Sequence, residues 1–87
     1  MANKTYSVVV TDSVRKLILK LPTGISTRIE NSLLQLQENP RPAGCKKLKG
    51  RNGYRIRVGD YRIIYEIEDF ILRVIVIDVG HRKDIYK

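Results

Sequence analysis

The hydrophobic period of this sequence changes once along the chain, and that change limits the fold more than any other feature. Between residues 14 and 36 apolar side chains recur every three or four positions, which predicts two short helices separated by Pro22. Between residues 54 and 67 apolar side chains recur at every second position, a period that predicts β-strands. The chain therefore combines a helical first half with a sheet-forming second half.

The bounds of these elements follow from the residues at their ends. Residues 6–10 are mostly β-branched and predict a first strand, after which Thr11 begins the first helix. Thr23 is expected to cap the second helix, and Asn39 is expected to end it. The run 70–79 is apolar at nearly every position, which predicts a last strand that is covered on both faces. Gly80 then predicts a sharp bend.

This order of elements predicts an α+β fold. An N-terminal strand is followed by a helical hairpin and then by a three-stranded antiparallel meander, with the helices packed on one face of a single sheet. The pattern leaves the partner of the first strand open. A length of 87 residues suits a single domain, 1–87.

The turn between the first two strands of the meander places arginines next to one another. Gly59 at the first central position of a two-residue turn favours type II′, which pairs Arg57 with Arg62. Arg55 has the same parity, so one face of the sheet carries all three arginines. Like charges on paired positions destabilise a sheet by up to about 1 kcal/mol, and an anion between them would reverse that effect. The alternative is that these arginines only solvate the outer face, neutralised by the carboxylates at 66, 68 and 69.

The charge of the chain predicts an acidic partner. There are 17 Lys and Arg residues against 9 Asp and Glu residues, a formal net charge of +8. The segment 41–59 contains basic residues and no acidic residue, which favours phosphate contact over a merely solubilising loop.

Composition also excludes several classes of protein. Cys45 and His81 are the only cysteine and histidine, so neither a disulfide nor a metal cluster is expected. The apolar runs are far shorter than the roughly 20 residues of a membrane span. We therefore expect a cytoplasmic protein without metal, cofactor or membrane contact.

The last residues add further chemistry. A backward turn at Gly80 would bring Arg82 and Tyr86 over the arginine face, next to His81. This turn would place several cations, an imidazole and a phenol around one anion-sized space. Phosphodiester chemistry that proceeds without a metal needs groups of these kinds.

Three segments of this chain strongly resemble RelE toxins. They are Lys-Leu-Lys-Gly at 47–50, Tyr-Arg-Ile-Arg-Val-Gly-Asp-Tyr-Arg-Ile-Ile-Tyr at 54–65 and Val-Gly-His-Arg-Lys-Asp-Ile-Tyr at 79–86. The resemblance covers essentially the whole chain. It implies the toxin of a type II toxin-antitoxin pair, a ribosome-dependent endonuclease that cleaves mRNA in the A site through attack by the ribose 2′-hydroxyl. It also implies an acidic, RelB-like antitoxin as partner, and contact with DNA only through the antitoxin complex.

The resemblance also implies roles for individual residues. Arg62 and Arg82 match arginines that stabilise the phosphate or protonate the leaving oxygen. Arg55 and Arg57 fall where well-studied members have lysines, and since an arginine is a poor base we expect them to clamp charge. Tyr86 falls near the family's tail tyrosine, although its spacing from Gly80 is shorter here.

The remaining candidates concern the base and the RNA backbone. Histidine ordinarily titrates near pH 6.5, which makes His81 the candidate general base, with a bystander role as the alternative. Four further cations are expected to hold the RNA backbone without sequence choice: Lys46, Lys47, Lys49 and Arg51.

Two other functions compete with this interpretation. One is a ParE-like toxin that poisons DNA gyrase, against which Arg62, Arg82 and Tyr86 argue together. The other is a non-enzymatic RNA-binding or ribosome-binding module in which the same arginines only grip phosphate.

Overall fold

The computed structural model describes residues 5–81 as two helices packed on one face of a mixed five-stranded sheet. The strands and helices, in chain order, are β1 (Ser7–Val10), α1 (Asp12–Leu19), α2 (Thr23–Glu38), β2 (Lys46–Lys47), β3 (Tyr54–Val58), β4 (Tyr61–Glu68) and β5 (Arg73–His81). The order across the sheet is β1-β5-β4-β3-β2. β1 runs parallel to β5, and the other neighbouring pairs are antiparallel. The predicted α+β arrangement is confirmed.

The helix ends follow the sequence except at the start of α2. Thr11 caps α1, because its hydroxyl oxygen accepts a hydrogen bond from the Val14 amide at 3.3 Å. The prediction that Thr23 caps α2 is wrong, since Thr23 is already the first helical residue. Pro22 occupies the cap position, and its carbonyl accepts from the amides of Ile25 and Ser26. Asn39 ends α2 as predicted.

The hydrophobic core lies between the helices and the sheet. Ile29 and Leu36 of α2 are fully buried, as are Tyr65 of β4 and Val76 of β5. Each buried side chain of this size contributes about 1.5–3 kcal/mol relative to exposure, so this contact is the main source of stability. The opposite face of the sheet has no helix among the described residues, and we call it the outer face.

The structure resolves the position of β1 and adds a strand that the sequence pattern missed. β1 lies at the edge of the sheet beside β5, so that Val8 pairs with Val74 and Val10 with Val76. The basic segment, predicted as a loop, contains the two-residue strand β2, which pairs with Tyr54 and Arg55 of β3. Two residues are too few to show a periodic hydrophobic pattern, so this strand is identified only by its backbone pairing with β3.

The predictions for the last strand are wrong in three respects. Residues 69–71 form a 3₁₀ turn, after which Leu72 adopts a left-handed conformation with φ 51° and β5 begins. Only one side of β5 is buried, through Val74, Val76 and Val79. Gly80 does not bend the chain but stays in β5, paired with Arg62. Pairing with β4 through His81 stabilises the extended backbone there.

Candidate functional site

The predicted hairpin register, which positions the arginines, is confirmed. Val58 pairs with Tyr61, and Arg57 pairs with Arg62. Gly59 has φ +60°, whereas Leu72 is the only non-glycine residue of the described 5–81 with a positive φ. Asp60 therefore has a negative φ, as a type II′ turn requires.

A β-bulge then shapes the outer face beside these arginines. Ile64 pairs with Asp78, but Tyr65 pairs with Val76, so Ile77 is an extra residue in β5. Bulges redirect side chains and increase the local twist of a sheet. Here the bulge brings Ile77 and Asp78 to the same side as Arg62.

A cavity of about 860 Å³ lies on the outer face, and we call it the basic groove. Six of its lining residues are cationic and one is a carboxylate, so the groove carries a large excess of positive charge. Its lining residues are Lys46, Lys47, Leu48, Lys49, Arg51, Arg55, Arg62, Ile64, Ile77 and Asp78.

Arg62 is the buried cation among the described residues that line this groove. It is 8% exposed, the one buried charged residue among residues 5–81. It comes from the central strand β4, and Gly80 opposite it contributes no side chain. A guanidinium removed from bulk water interacts more strongly with an approaching anion than an exposed one does.

The other candidate cations divide between the basic groove and a second cavity. Arg55 is half-buried, pairs with Lys46 across β2 and β3, and lines the basic groove together with Arg62. Arg57 is exposed and borders a different cavity of about 280 Å³, together with Ser32 and Gln35 of α2. The structure thus brings Arg55, Arg62 and the predicted RNA-binding residues together, whereas Arg57 does not line the groove.

His81 lies on the other side of the sheet from the basic groove. It pairs with Tyr61, and the two rings meet edge to face with centroids 5.4 Å apart and planes at 79°. Tyr61 and Arg62 are consecutive in β4, so their side chains point to opposite faces. His81 also lines a cavity of about 320 Å³ with Leu17 and Lys20 of α1. The candidates Arg82 and Tyr86 lie outside the described residues.

A second group of polar side chains lies at the opposite end of β4, and we call it the Asp69 cluster (Tyr6, Arg41 and Asp69). The Arg41 guanidinium donates to both carboxylate oxygens of Asp69, at 3.2 and 3.0 Å. The Tyr6 hydroxyl donates to Asp69 Oδ1 at 2.8 Å, and this hydrogen bond raises the pKa of Tyr6. Arg41, counted by sequence with the positive segment, is therefore paired with a carboxylate.

Two tyrosines connect the Asp69 cluster to the core. Arg41 and Lys47 both lie over the ring of Tyr54, at 5.3 and 5.5 Å from its centroid. Tyr54 stacks on the buried Tyr65, with the centroids 6.0 Å apart. The Tyr65 hydroxyl donates to the Pro40 carbonyl at 2.7 Å, and burial raises the pKa of Tyr65.

Sequence reasoning assigned no catalytic or RNA-binding role to four residues that line the basic groove. They are Leu48, Ile64, Ile77 and Asp78, and Asp78 is the only carboxylate among the described lining residues. The signal for Asp78 was present, because it is the one charged residue in the apolar run 74–79. Strand parity predicts Ile77 on the same face as the arginines, whereas Asp78 reaches that face because of the bulge.

Residues 5–81 contain no group of three or more His, Cys, Asp or Glu residues arranged to hold a metal ion. Neither of the helices in this part of the chain has the length and apolar character that a membrane crossing requires.

Comparison with known proteins identifies the relatives of this chain. Residues 8–86 match the family described as the ParE toxin of the type II toxin-antitoxin system parDE. The chain is also similar to Toxin RelG of Mycobacterium tuberculosis, with 32% identity over 84 residues, which span 94% of this chain and 97% of RelG.

Solved structures support the same relationship. The fold is similar to that of the archaeal RelE-RelB complex from Pyrococcus horikoshii, with a TM-score of 0.82 and 28% identity over 90% of this chain and 96% of that chain. It is also similar to the toxin-antitoxin complex RelBE2 of Mycobacterium tuberculosis, with a TM-score of 0.79 and 28% identity over 90% and 92% of the two chains. A mutant of the E. coli toxin RelE in the free state gives a TM-score of 0.78 and 26% identity over 93% and 87%.

Proposed function

This chain belongs to the ParE toxin family of type II toxin-antitoxin systems, within the RelE/ParE superfamily, and from that premise we propose that it is a ribosome-dependent endonuclease. Its substrate is mRNA in the ribosomal A site, and the consequence of cleavage is arrest of translation and growth. The observation that carries the proposal is the basic groove, in which the buried Arg62 lies among several exposed cations.

The chemistry requires charge stabilisation more than a protein nucleophile. The ribose 2′-hydroxyl gives its proton to water and forms a bond to the adjacent phosphorus, the bond to the 5′-oxygen breaks, and a cyclic phosphate and a 5′-hydroxyl result. Arg62 stabilises the negative charge that grows on the phosphate, and a preorganised donor in a partly dry site is effective in this role. Arg55 clamps the same phosphate from the neighbouring strand. Arg82 protonates the leaving oxygen, and Tyr86 assists. Arg57, which borders a different cavity, assists by clamping charge.

The other cations of the basic groove hold the RNA backbone. Lys46, Lys49 and Arg51 are exposed on its rim, where contact with phosphate gives affinity but no base specificity. Lys47 also lines the groove, although its ammonium lies 5.5 Å from the centre of the Tyr54 ring. A domain of this size offers little surface for orienting a flexible RNA, so the ribosome supplies the positioning.

Primer extension on mRNA from cells that express the chain tests this function. We expect cuts that keep the phase of the codons, because an enzyme acting in the A site meets the message one codon at a time. Cells that stop growing without any phased cuts would contradict the proposal. Binding to ribosomes without cuts would instead favour the non-enzymatic module.

The partner proposed for this chain is an acidic, RelB-like antitoxin. The solved relatives include complexes with RelB-type antitoxins, and the outer face here is both basic and partly apolar. Ile75 and Ile77 are half-buried on that face, and Val9 of the edge strand is 42% exposed. An acidic segment that covers them would remove apolar surface from water and neutralise the groove. Failure to copurify with the product of the adjacent gene would count against this partner.

The family match supports a second candidate function. The family that matches residues 8–86 is described as the ParE toxin, and a ParE-like toxin would poison DNA gyrase. Supercoiling assays with purified gyrase separate the two functions. If the chain is an endonuclease, it should not inhibit gyrase at concentrations that arrest translation. Inhibition of gyrase at those concentrations would favour the gyrase poison.

A further inference from the structure

His81 occupies a defined structural position that does not suit the general base expected from its chemistry. It is the last residue of β5, and its pair with Tyr61 closes the β4–β5 ladder. The Tyr61 ring meets it edge to face, and Lys20 of α1 is the charged side chain that lines the same cavity. A base for the 2′-hydroxyl has to reach the phosphate that Arg62 contacts, and Arg62 projects from the opposite face of β4.

The same position gives His81 a different use. The residue that follows it in the sequence is Arg82, the second arginine of the proposed chemistry. The Tyr61–His81 contact therefore holds the chain at the point where the segment carrying Arg82 begins. Small displacements of a catalytic group cost large factors in rate, so a fixed end of β5 matters for a catalytic group that follows it in the sequence.

We propose that His81 is a positioning residue, whose ring packs on Tyr61 and fixes the end of β5 for Arg82, and that it takes no proton in the reaction. This inference rests on the proposed function, because it concerns the same cleavage. It predicts that the aromatic ring is required and that its nitrogens are not.

The test compares His81→Phe with His81→Ala in single-turnover cleavage of mRNA on programmed ribosomes between pH 5.5 and 8.5. His81→Phe keeps a ring against Tyr61 but cannot accept a proton. We expect it to cleave within about threefold of wild type with the same pH profile, and His81→Ala to be slower by roughly tenfold at every pH, since an aromatic pair contributes little more than that factor. Tyr61→Ala removes the same contact from the other side and should match His81→Ala, and the double variant should be no slower than either single variant.

Several results would overturn the inference. If His81→Phe cleaves as slowly as His81→Ala, the ring does not act by packing on Tyr61. If His81→Phe loses one limb of the wild-type pH profile, the imidazole is the base. Full activity of His81→Ala would also contradict it. Thermal melting identifies variants that are unfolded at the assay temperature, and if His81→Ala is one of them, Tyr61→Ala and Tyr61→Phe provide the same comparison.

Failure of this inference and failure of the proposed function give different experimental results. A wild-type chain that does not cleave on ribosomes contradicts the proposed function. In that case the same variants are compared by the growth arrest that they cause in cells, a measurement that does not require the target to be known. His81→Phe should then arrest growth like wild type and His81→Ala should arrest it less, and the reverse order or equal impairment would overturn the inference.

Discussion

The basic groove and the Asp69 cluster both contain arginines, but the two regions treat positive charge in opposite ways. Arg41 in the Asp69 cluster is exposed and makes two hydrogen bonds to one carboxylate. Arg62 in the basic groove is 8% exposed, and among residues 5–81 it shares its cavity with five other cations and a single carboxylate. The ion pair between Arg41 and Asp69 joins the α2–β2 connection to the turn before β5, whereas the described lining of the basic groove contains more cations than carboxylates.

Net charge alone therefore does not locate the functional site. The sequence segment 41–59 contains cations of both kinds, and only the fold separates Arg41 from the groove. Exposed ion pairs contribute about 0.2–1 kcal/mol to stability, whereas a charge placed at a reacting phosphate acts on the rate. The two regions should therefore respond to substitution in different measurements.

The largest effect is expected from Arg62→Ala, with Arg41→Ala as its matched control. Arg62→Ala should lower the cleavage rate by about 10²-fold or more, because it removes charge stabilisation from the transition state. Arg41→Ala should leave the rate near that of wild type. Cleavage rates and thermal melting of both variants check this expectation, and equal losses of activity in the two would contradict the division of labour between the regions.

A smaller effect is expected from the rim of the basic groove. Lys49→Ala should weaken binding to ribosomes several-fold and reduce the slope of log affinity against log salt by about one, since one phosphate contact is lost. Lys16→Ala, an exposed position on α1, is the control and should change neither quantity. Binding titrations at several salt concentrations provide the measurement. An unchanged slope for Lys49→Ala would place the RNA elsewhere.

Tyr65 links the Asp69 cluster to the core and should respond to alkaline pH. Burial raises its pKa in the folded chain above the value of about 10 of an unfolded tyrosine, so the folded state holds the proton more tightly. Its contribution to stability is fully present below about pH 10 and declines as the pH rises above that value. Tyr65→Phe should cost about 1 kcal/mol at neutral pH through the lost bond to Pro40, yet lose less stability on going to high pH. Urea unfolding at pH 8 and pH 10.5 measures both effects, and parallel losses in the two proteins would contradict them.

The smallest effect is expected from Asp69→Ala. Its ion pair with Arg41 is about half exposed on both sides, so solvent screens the attraction. The variant should lose about 0.5 kcal/mol of stability and no cleavage activity. A loss of activity without a loss of stability would show that the Asp69 cluster belongs to the functional site after all.

The elements and the hairpin register were predictable from sequence because they depend on local patterns. The period of two and the glycine at position 59 determine which residues face Arg62, and the structure has the same pairs. The bulge at Ile77 and the two-residue β2 were not predictable, because both depend on pairing between distant segments. The predicted bend at Gly80 was wrong for the same reason: glycine permits a turn, but pairing with Arg62 keeps it extended.

Parity also explains why the position of His81 was missed. The sequence places His81 next to the second arginine, Arg82, and its chemistry suggests a base. Only the continuation of β5 through Gly80 assigns its side chain to the face of Tyr61. Neighbours in sequence lie on opposite sides of a strand, so adjacency along the chain is a poor guide to a shared site.

Single-turnover cleavage of one mRNA, measured both on programmed ribosomes and as free RNA, tests whether the basic groove catalyses cleavage on the ribosome. Wild type should cut the message on the ribosome and cut the free RNA poorly, while Arg62→Ala should fail on both and Arg41→Ala should behave like wild type. Equal wild-type rates with and without ribosomes, or full activity of Arg62→Ala on the ribosome, would contradict the account of the basic groove.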